Sequence, residues 1–272
     1  GDLFAMMAAP ANQSVAPTAE QTPATPSVAA DNPAEEDSSL PYATAATTPH
    51  EYTLVDNITD LQQVVERVSH CEEFCFDTET TGFDLYSDRI VGLSLAIEPH
   101  KAWYVSFTPE NTAAFAEAVR PIFEDDRIAK IAQNLKFDMM VLARLGIAVR
   151  GKKIDTMILH YLLDPESRHN MNYLAERYLR YTPIAIESLI GKGARQLTMD
   201  RVSVEQVKEY AAEDADITLQ LKAALWPQIV EQGLEQLYHT IEEPMIEVLA
   251  EMELAGVKID SAQLADYAVE LN

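Results

Sequence analysis

Three short stretches carry acids at spacings that chemistry can use. The first is Phe74-Cys75-Phe76-Asp77-Thr78-Glu79-Thr80-Thr81-Gly82. Side chains alternate along a strand, so Asp77 and Glu79 share one face, about 7 Å apart along the chain. Two carboxylates side by side at the end of an apolar strand repel each other, and a divalent cation is the simplest partner that makes the pair favourable. A solvated strand end with two surface acids fits this tripeptide equally well. The second stretch is Gln133-Asn134-Leu135-Lys136-Phe137-Asp138, where a strand ends in Gln and Asn and Asp138 falls in the first turn of a helix. A first-turn acid often only complements the helix dipole. Its place at a strand-to-helix junction, where mixed sheets build their sites, adds weight to a functional role. In the third stretch, Tyr210-Ala211-Ala212-Glu213-Asp214-Ala215-Asp216, Tyr210 and Asp214 are i and i+4 and project from one helix face. Ala211, Ala212 and Ala215 keep that helix narrow enough to approach a sheet closely. Glu213 and Asp216 fall on other faces and are expected to be solvated. Alone, this motif reads as a half-buried tyrosine beside a surface acid.

The elements that must position these acids follow from apolar periodicity. Residues 60–69 predict a short helix, with Leu61, Val64, Val65 and Val68 on one face. Residues 73–78 predict a strand, and residues 90–97 and 102–107 two more strands of an antiparallel meander after the turn at Thr81 and Gly82. Phe115, Val119 and Phe123 place a helix over 112–123. A brief buried strand over 128–132 leads into a helix over 135–145, ended by Gly146. Asp155 is the expected N-cap of a helix reaching Leu163, with Pro165 just beyond, and residues 172–181 continue the helical series. Gly191-Lys192-Gly193 marks a flexible loop. A long helix over 203–226 opens with Ser203 and Gln206 in a capping-box pattern. Strands first, helices afterwards and one βαβ-like crossover indicate an α/β fold, a mixed sheet flanked by helices.

Composition sets the limits. The chain has 272 residues, 47% apolar and 24% charged, enough for a normal core without disulfides. Cys71 and Cys75 are spaced neither as a zinc knuckle nor as a redox pair, and read as free thiols of a reducing cytoplasm. Residues 1–48 are dominated by Ala, Pro, Thr, Ser and Asn, a composition that reads as a disordered arm or interdomain linker, with order beginning near Glu51. No Lys or Arg precedes Arg67, so the basic n-region of a signal peptide is missing, and no stretch there can span a bilayer. The sequence begins at Gly1 rather than Met, as an excised piece of a longer chain would. The net charge of −24 argues against autonomous, tight binding of a duplex, because phosphate binding wants a basic face. It does not argue against catalysis on DNA where divalent metals neutralise the site.

Together the three motifs are far more specific than any one. In this order and spacing they resemble the DEDD-type exonucleases with a tyrosine in the third motif. Asp77–Gly82, Gln133–Asp138, Leu174–Leu179, Gly191–Gly193 and Tyr210–Leu221 resemble the 3′-5′ exonuclease (proofreading) domain of bacterial family A DNA polymerases, over roughly residues 51–230. Residues 248–260 look like the entry into that family's polymerase domain, truncated here over 236–272 and without polymerase palm acids.

The resemblance implies a ribonuclease H-like, DnaQ-like fold and two-metal hydrolysis of a DNA 3′ end with Mg2+ or Mn2+. Asp77, Glu79 and Asp214 would hold the first metal, with Asp77 bridging to a second that Asp138 binds through water. Tyr210 would orient the attacking water. Thr80, Phe83, Gln133 and Asn134 are implied contacts of the 3′-terminal nucleotide, with Phe83 stacking on a base. Lys136 and Arg168 are candidates for phosphate, and Ile186 stands where the family has a second apolar groove position. The implied partners are a single-stranded or frayed 3′ DNA end and a polymerase domain in cis, for a monomeric, cytoplasmic, nucleoid-associated protein. Two other readings share these acids: a ribonuclease D-like exoribonuclease, and a catalytically silent scaffold of the polymerase.

Overall fold

A computed structural model describes residues 41–193 and 196–271, nearly all within a unit that begins at Ala43. The elements run β1 (Glu51–Val55), α1 (Ile58–Ser69), β2 (Glu73–Thr80), β3 (Ile90–Glu98), β4 (Lys101–Ser106), α2 (Thr112–Phe123), β5 (Ala129–Ala132), α3 (Leu135–Arg144), β6 (Lys153–Asp155) and α4 (Thr156–Leu163). Then follow α5 (Met171–Leu174) with a π-helical turn (Ala175–Leu179), α6 (Ile186–Ile190), α7 (Val204–Glu231), α8 (Glu235–Leu237), a second π-helical turn (Tyr238–Glu242), α9 (Glu243–Ala255) and α10 (Ser261–Glu270). Six strands form one sheet in the order β1-β4-β3-β2-β5-β6. The meander β2-β3-β4 is antiparallel, and β1, β5 and β6 join parallel to their neighbours, so the sheet is mixed as expected. None of the described helices is long and apolar enough to cross a membrane.

The alternation of β2 divides the core. Phe74 and Phe76 pack into a cluster with α1, α2 and α3, whereas Cys75 faces the cluster built on α7. Central strands buried on both faces read as continuous apolar runs, as β3 does. Between Glu79 and Thr80 the pairing with β3 skips a residue, so Val91 is left as a bulge, a device that re-aims side chains beside sites. Gly92 lies opposite Glu79. A Cβ there would stand 2.1 Å from the ring of Tyr104, whose hydroxyl donates to the Val91 carbonyl at 3.1 Å.

Several expectations need correction. The strands β1 and β6 escaped notice because one is a short edge strand and the other has three residues. Within the expected linker, residues 1–40 lie outside the described residues, but the chain is already paired before Glu51. Ala43 donates to the Arg180 carbonyl at 2.9 Å and accepts from the Thr182 amide at 2.8 Å. Backbone pairing needs no side-chain signature, so composition gave no hint of it. The capping box at Ser203 does not form. The Ser203 hydroxyl bonds the Gln206 side chain instead, while the Gln206 amide uses the Ser203 carbonyl.

The largest correction concerns Glu213 and Asp216, which are fully buried rather than solvated. The helix α7 packs against strands β1 to β5 and also against α4, α5 and α6, so it has almost no solvated face in its middle. Both acids are fully hydrogen-bonded. Glu213 accepts from the Tyr181 hydroxyl and the Ile184 amide, each at 2.6 Å. Asp216 accepts from the Tyr52 hydroxyl, the His100 amide and the Gln220 side chain, each at 2.8 Å, tying β1 and the β3–β4 turn to α7. Buried acids of this kind are stable only when so partnered.

The packing at Gly92 yields a direct test. Gly92→Ala should destabilise the fold by about 1–3 kcal/mol, because the new methyl must displace a buried ring. Urea denaturation followed by circular dichroism measures it.

Candidate active site

The β2 strand carries Asp77 and Glu79 to its end on the face that α7 covers, and α7 brings Asp214 against them. Carboxylate oxygens of Asp77, Glu79 and Asp214 lie within 4.8 Å of one another. The small residues Ala211, Ala212 and Ala215 are fully buried, consistent with the close approach of helix to sheet. Asp138 arrives from the other face, where α3 packs with Phe74 and Phe76. One of its oxygens accepts from both the amide and the hydroxyl of Thr78, the residue between Asp77 and Glu79. Its exposure of 2% removes the reading as a solvated dipole partner.

This concentration of buried acids has an electrostatic consequence. Burial raises the Asp77 carboxyl to about 6. Glu79, Asp138 and Asp214 are pushed well above the ordinary carboxylate range, first by burial and then by the charge of Asp77. For Asp138, the two bonds from Thr78 pull the other way. Tyr210 is also held well above the usual phenol value, by burial and by Asp214, Glu79 and Asp77, so it keeps its proton. One Asp214 oxygen is buried without any hydrogen-bond partner. Three converging carboxylates, one of them with a buried oxygen that has no partner, are the donor set of a hard divalent cation. The all-oxygen set fits Mg2+ or Mn2+ better than zinc.

The residues expected to contact substrate are placed as follows. Thr80 donates to the Gly82 carbonyl at 2.7 Å, at the start of the loop that presents Phe83. Phe83 is 58% exposed, with its ring 6.0 Å from that of Phe137. Gln133 is committed internally: its amide donates to the His169 carbonyl at 2.7 Å and its oxygen accepts from Thr156. Asn134 adopts a left-handed conformation (φ 63°), and its side chain makes no cap bond. Lys136 pairs with Glu253 of α9, whereas Arg168 is exposed. Ile186 begins α6 and is half-buried against the α7 core. Two residues around the site escaped the sequence reading. Thr78 was passed over because alternation points it away from Asp77 and Glu79. Asp155 carries only the signature of a cap for α4 in the sequence.

Known proteins resemble this chain in sequence and fold. A family model described as 3′-5′ exonuclease matches residues 52–230. The chain is 37% identical to DNA polymerase I of Pseudomonas aeruginosa over 233 residues, covering 81% of this chain and 26% of that protein. It spans about a quarter of the length of the curated relatives it matches. Among solved structures, the POL domain of Pol1 from M. smegmatis, in complex with DNA primer-template and dNTP, is similar at a TM-score of 0.63 and 23% identity, over 80% of this chain and 34% of that one. NrnC of Brucella melitensis is similar at a TM-score of 0.59 and 20% identity, over 76% of this chain and 93% of that one. These two likenesses concern the fold alone, a mixed sheet flanked by helices.

The raised carboxyls make stability depend on pH and metal. A carboxyl whose value rises on folding binds more protons when folded, so its contribution is present below the ordinary value and is lost as pH rises through the folded one. For Asp77 that window runs from 3.8 to about 6, and for the other three it extends higher. Metal-free Asp214→Asn should therefore melt several degrees above the wild type at pH 8, with the gap closing toward pH 5. Millimolar Mn2+ should reverse the order at pH 8. Thermal melts across this range check both.

Proposed function

Since the chain belongs to the family of 3′-5′ exonuclease domains of bacterial DNA polymerase I, we propose that it hydrolyses the terminal phosphodiester of a DNA 3′ end with two divalent cations. The convergence of Asp77, Glu79 and Asp214, with one Asp214 oxygen left unpartnered, is the observation that carries this reading. Those three acids would hold the first cation, and Asp138, held by Thr78, would serve the second. When bound, the cations supply Lewis acidity toward the phosphoryl group and the attacking water. Tyr210 orients that water through its neutral hydroxyl, since a phenol held above its usual value keeps its proton and so has no phenolate to act as base. The water oxygen bonds to phosphorus and the P–O3′ bond breaks. The 3′-oxygen leaves as a hydroxyl, and the product is a 5′-mononucleotide.

Exposed Phe83 stacks on a terminal base, which an aromatic face does without regard to sequence. Arg168 is the better phosphate contact of the two bases considered, because Glu253 already neutralises Lys136. Gln133 acts as a brace for the loop at His169, and Asn134 offers the freer side chain to the nucleotide. Exposed Met252, Val257, Ile259, Leu264 and Val269 on and around α9 and α10 support reading residues 236–272 as the start of a further domain. A polymerase domain in cis would hold the duplex that an acidic chain cannot grip alone.

Release of labelled mononucleotides from single-stranded DNA labelled in its 3′-terminal nucleotide, with Mg2+ or Mn2+, tests the proposal. Asp138→Ala and Asp214→Ala should each lower the rate by about a hundredfold or more, since each removes a metal ligand. Equal slow release by wild type and both variants would leave the scaffold reading standing. A preference for a matched RNA strand would support the ribonuclease reading instead.

A further inference from the structure

We propose that Asp155 is a positioning residue for metal binding, its carboxylate fixing the turn that delivers Asp138 to the site. The inference rests on reading Asp77, Glu79, Asp138 and Asp214 as metal ligands. Asp155 ends β6, in register with Ala132 at the end of β5. From there it caps α4, accepting from the Met157 amide at 2.9 Å. The same carboxylate reaches across to the neighbouring strand end. It accepts from the Asn134 amide at 3.1 Å and the Leu135 amide at 2.9 Å. One buried acid thus caps two helices.

The helix α3 depends on this loan. Its own cap residue, Asn134, makes no side-chain cap bond and holds the left-handed conformation at φ 63°, ψ 47°. Asparagine tolerates this conformation better than most residues with a Cβ, and bonds to the flanking amides hold it in place. Here the acceptor is the Asp155 carboxylate, bonded to the amides on both sides of the turn. Asp138 lies in the first turn that follows, so a change in the start of α3 is transmitted directly to it. At its far end, Asp138 is registered on β2 by Thr78. The strand end that carries Asp155 is tied separately, through backbone groups that leave the carboxylate alone. The Asp155 amide donates to the Tyr238 hydroxyl at 2.8 Å, and that hydroxyl donates to the Lys153 carbonyl at 3.0 Å.

Asp155→Asn separates positioning from simple support of the fold. The new amide group presents donors to backbone donors, so one or more N–H groups around Asn134 lose their acceptor. Tyr238→Phe serves as the comparison, because it removes two bonds of the same cluster without touching the carboxylate. Both variants should melt below the wild type. Asp155→Asn should also lose Mn2+ affinity by about tenfold or more, measured from free Mn2+ by electron paramagnetic resonance. Its kcat on single-stranded DNA should fall in step while KM stays within about twofold of wild type. Tyr238→Phe should keep wild-type Mn2+ affinity and kcat. Unchanged Mn2+ affinity in Asp155→Asn would overturn the proposal, as would an equal loss in Tyr238→Phe. Mn2+ binding is read without activity, so a wild type that binds Mn2+ but cleaves nothing would sink the nuclease reading and not this one.

Discussion

The repulsion among acids crowded together at the end of β2 is the constraint on which the rest of the structure depends. Asp77, Glu79 and Asp214 bring oxygens within 4.8 Å of one another, with Asp138 beside them on Thr78. In water such a group would separate, and in a flexible protein it would relax outward. Here it cannot, because strand and helix are each fixed by packing that has nothing to do with charge. The alanines of α7 let it lie close on the sheet, and the bulge at Val91 with Gly92 leaves room for the ring of Tyr104. The fold therefore holds the acids in an arrangement that favours either protons or a divalent cation.

A second set of buried acids secures the first. Asp216 ties α7 to β1 and to the turn before β4, and Glu213 ties it to the segment before α6. Asp155 joins the starts of α3 and α4. Each is surrounded by donors, whereas Asp214 keeps an oxygen without a partner. That difference separates acids satisfied by donors within the fold from an acid that is not, although Asp214 is nearly as buried as they are. Burial alone would not have told them apart.

The strong net negative charge also gains meaning from this arrangement. A chain at −24 repels a polyanion at long range, and screening at physiological salt confines that repulsion to roughly 8 Å. Cations bound by the acids would invert the field where a phosphate must approach. Short-range chemistry at the 3′ end is then compatible with weak grip elsewhere. Basic residues such as Lys136, Lys153 and Lys222 are largely spent on internal ion pairs with Glu253, Glu247 and Glu73.

The motif acids, their order and the strands and helices beneath them were legible in the sequence, because alternation and helical periodicity are local properties. The residues at 73–80, 112–123 and 135–144 adopt nearly the expected elements. Burial around α7 was not legible, since a helix enclosed on all sides looks amphipathic until its neighbours are known, and Glu213 and Asp216 were assigned to solvent for that reason. Nor was the pairing of Ala43 with the chain near Tyr181, which uses backbone groups that every residue has. By itself, then, the sequence determined which carboxylates exist and on which kind of element each one stands. Only the tertiary structure decided how closely they meet, which are satisfied by donors and which keeps an oxygen without a hydrogen-bond partner. Those outcomes depend on contacts between distant segments, where hydrogen-bond partners and desolvation are set by packing rather than by neighbours along the chain.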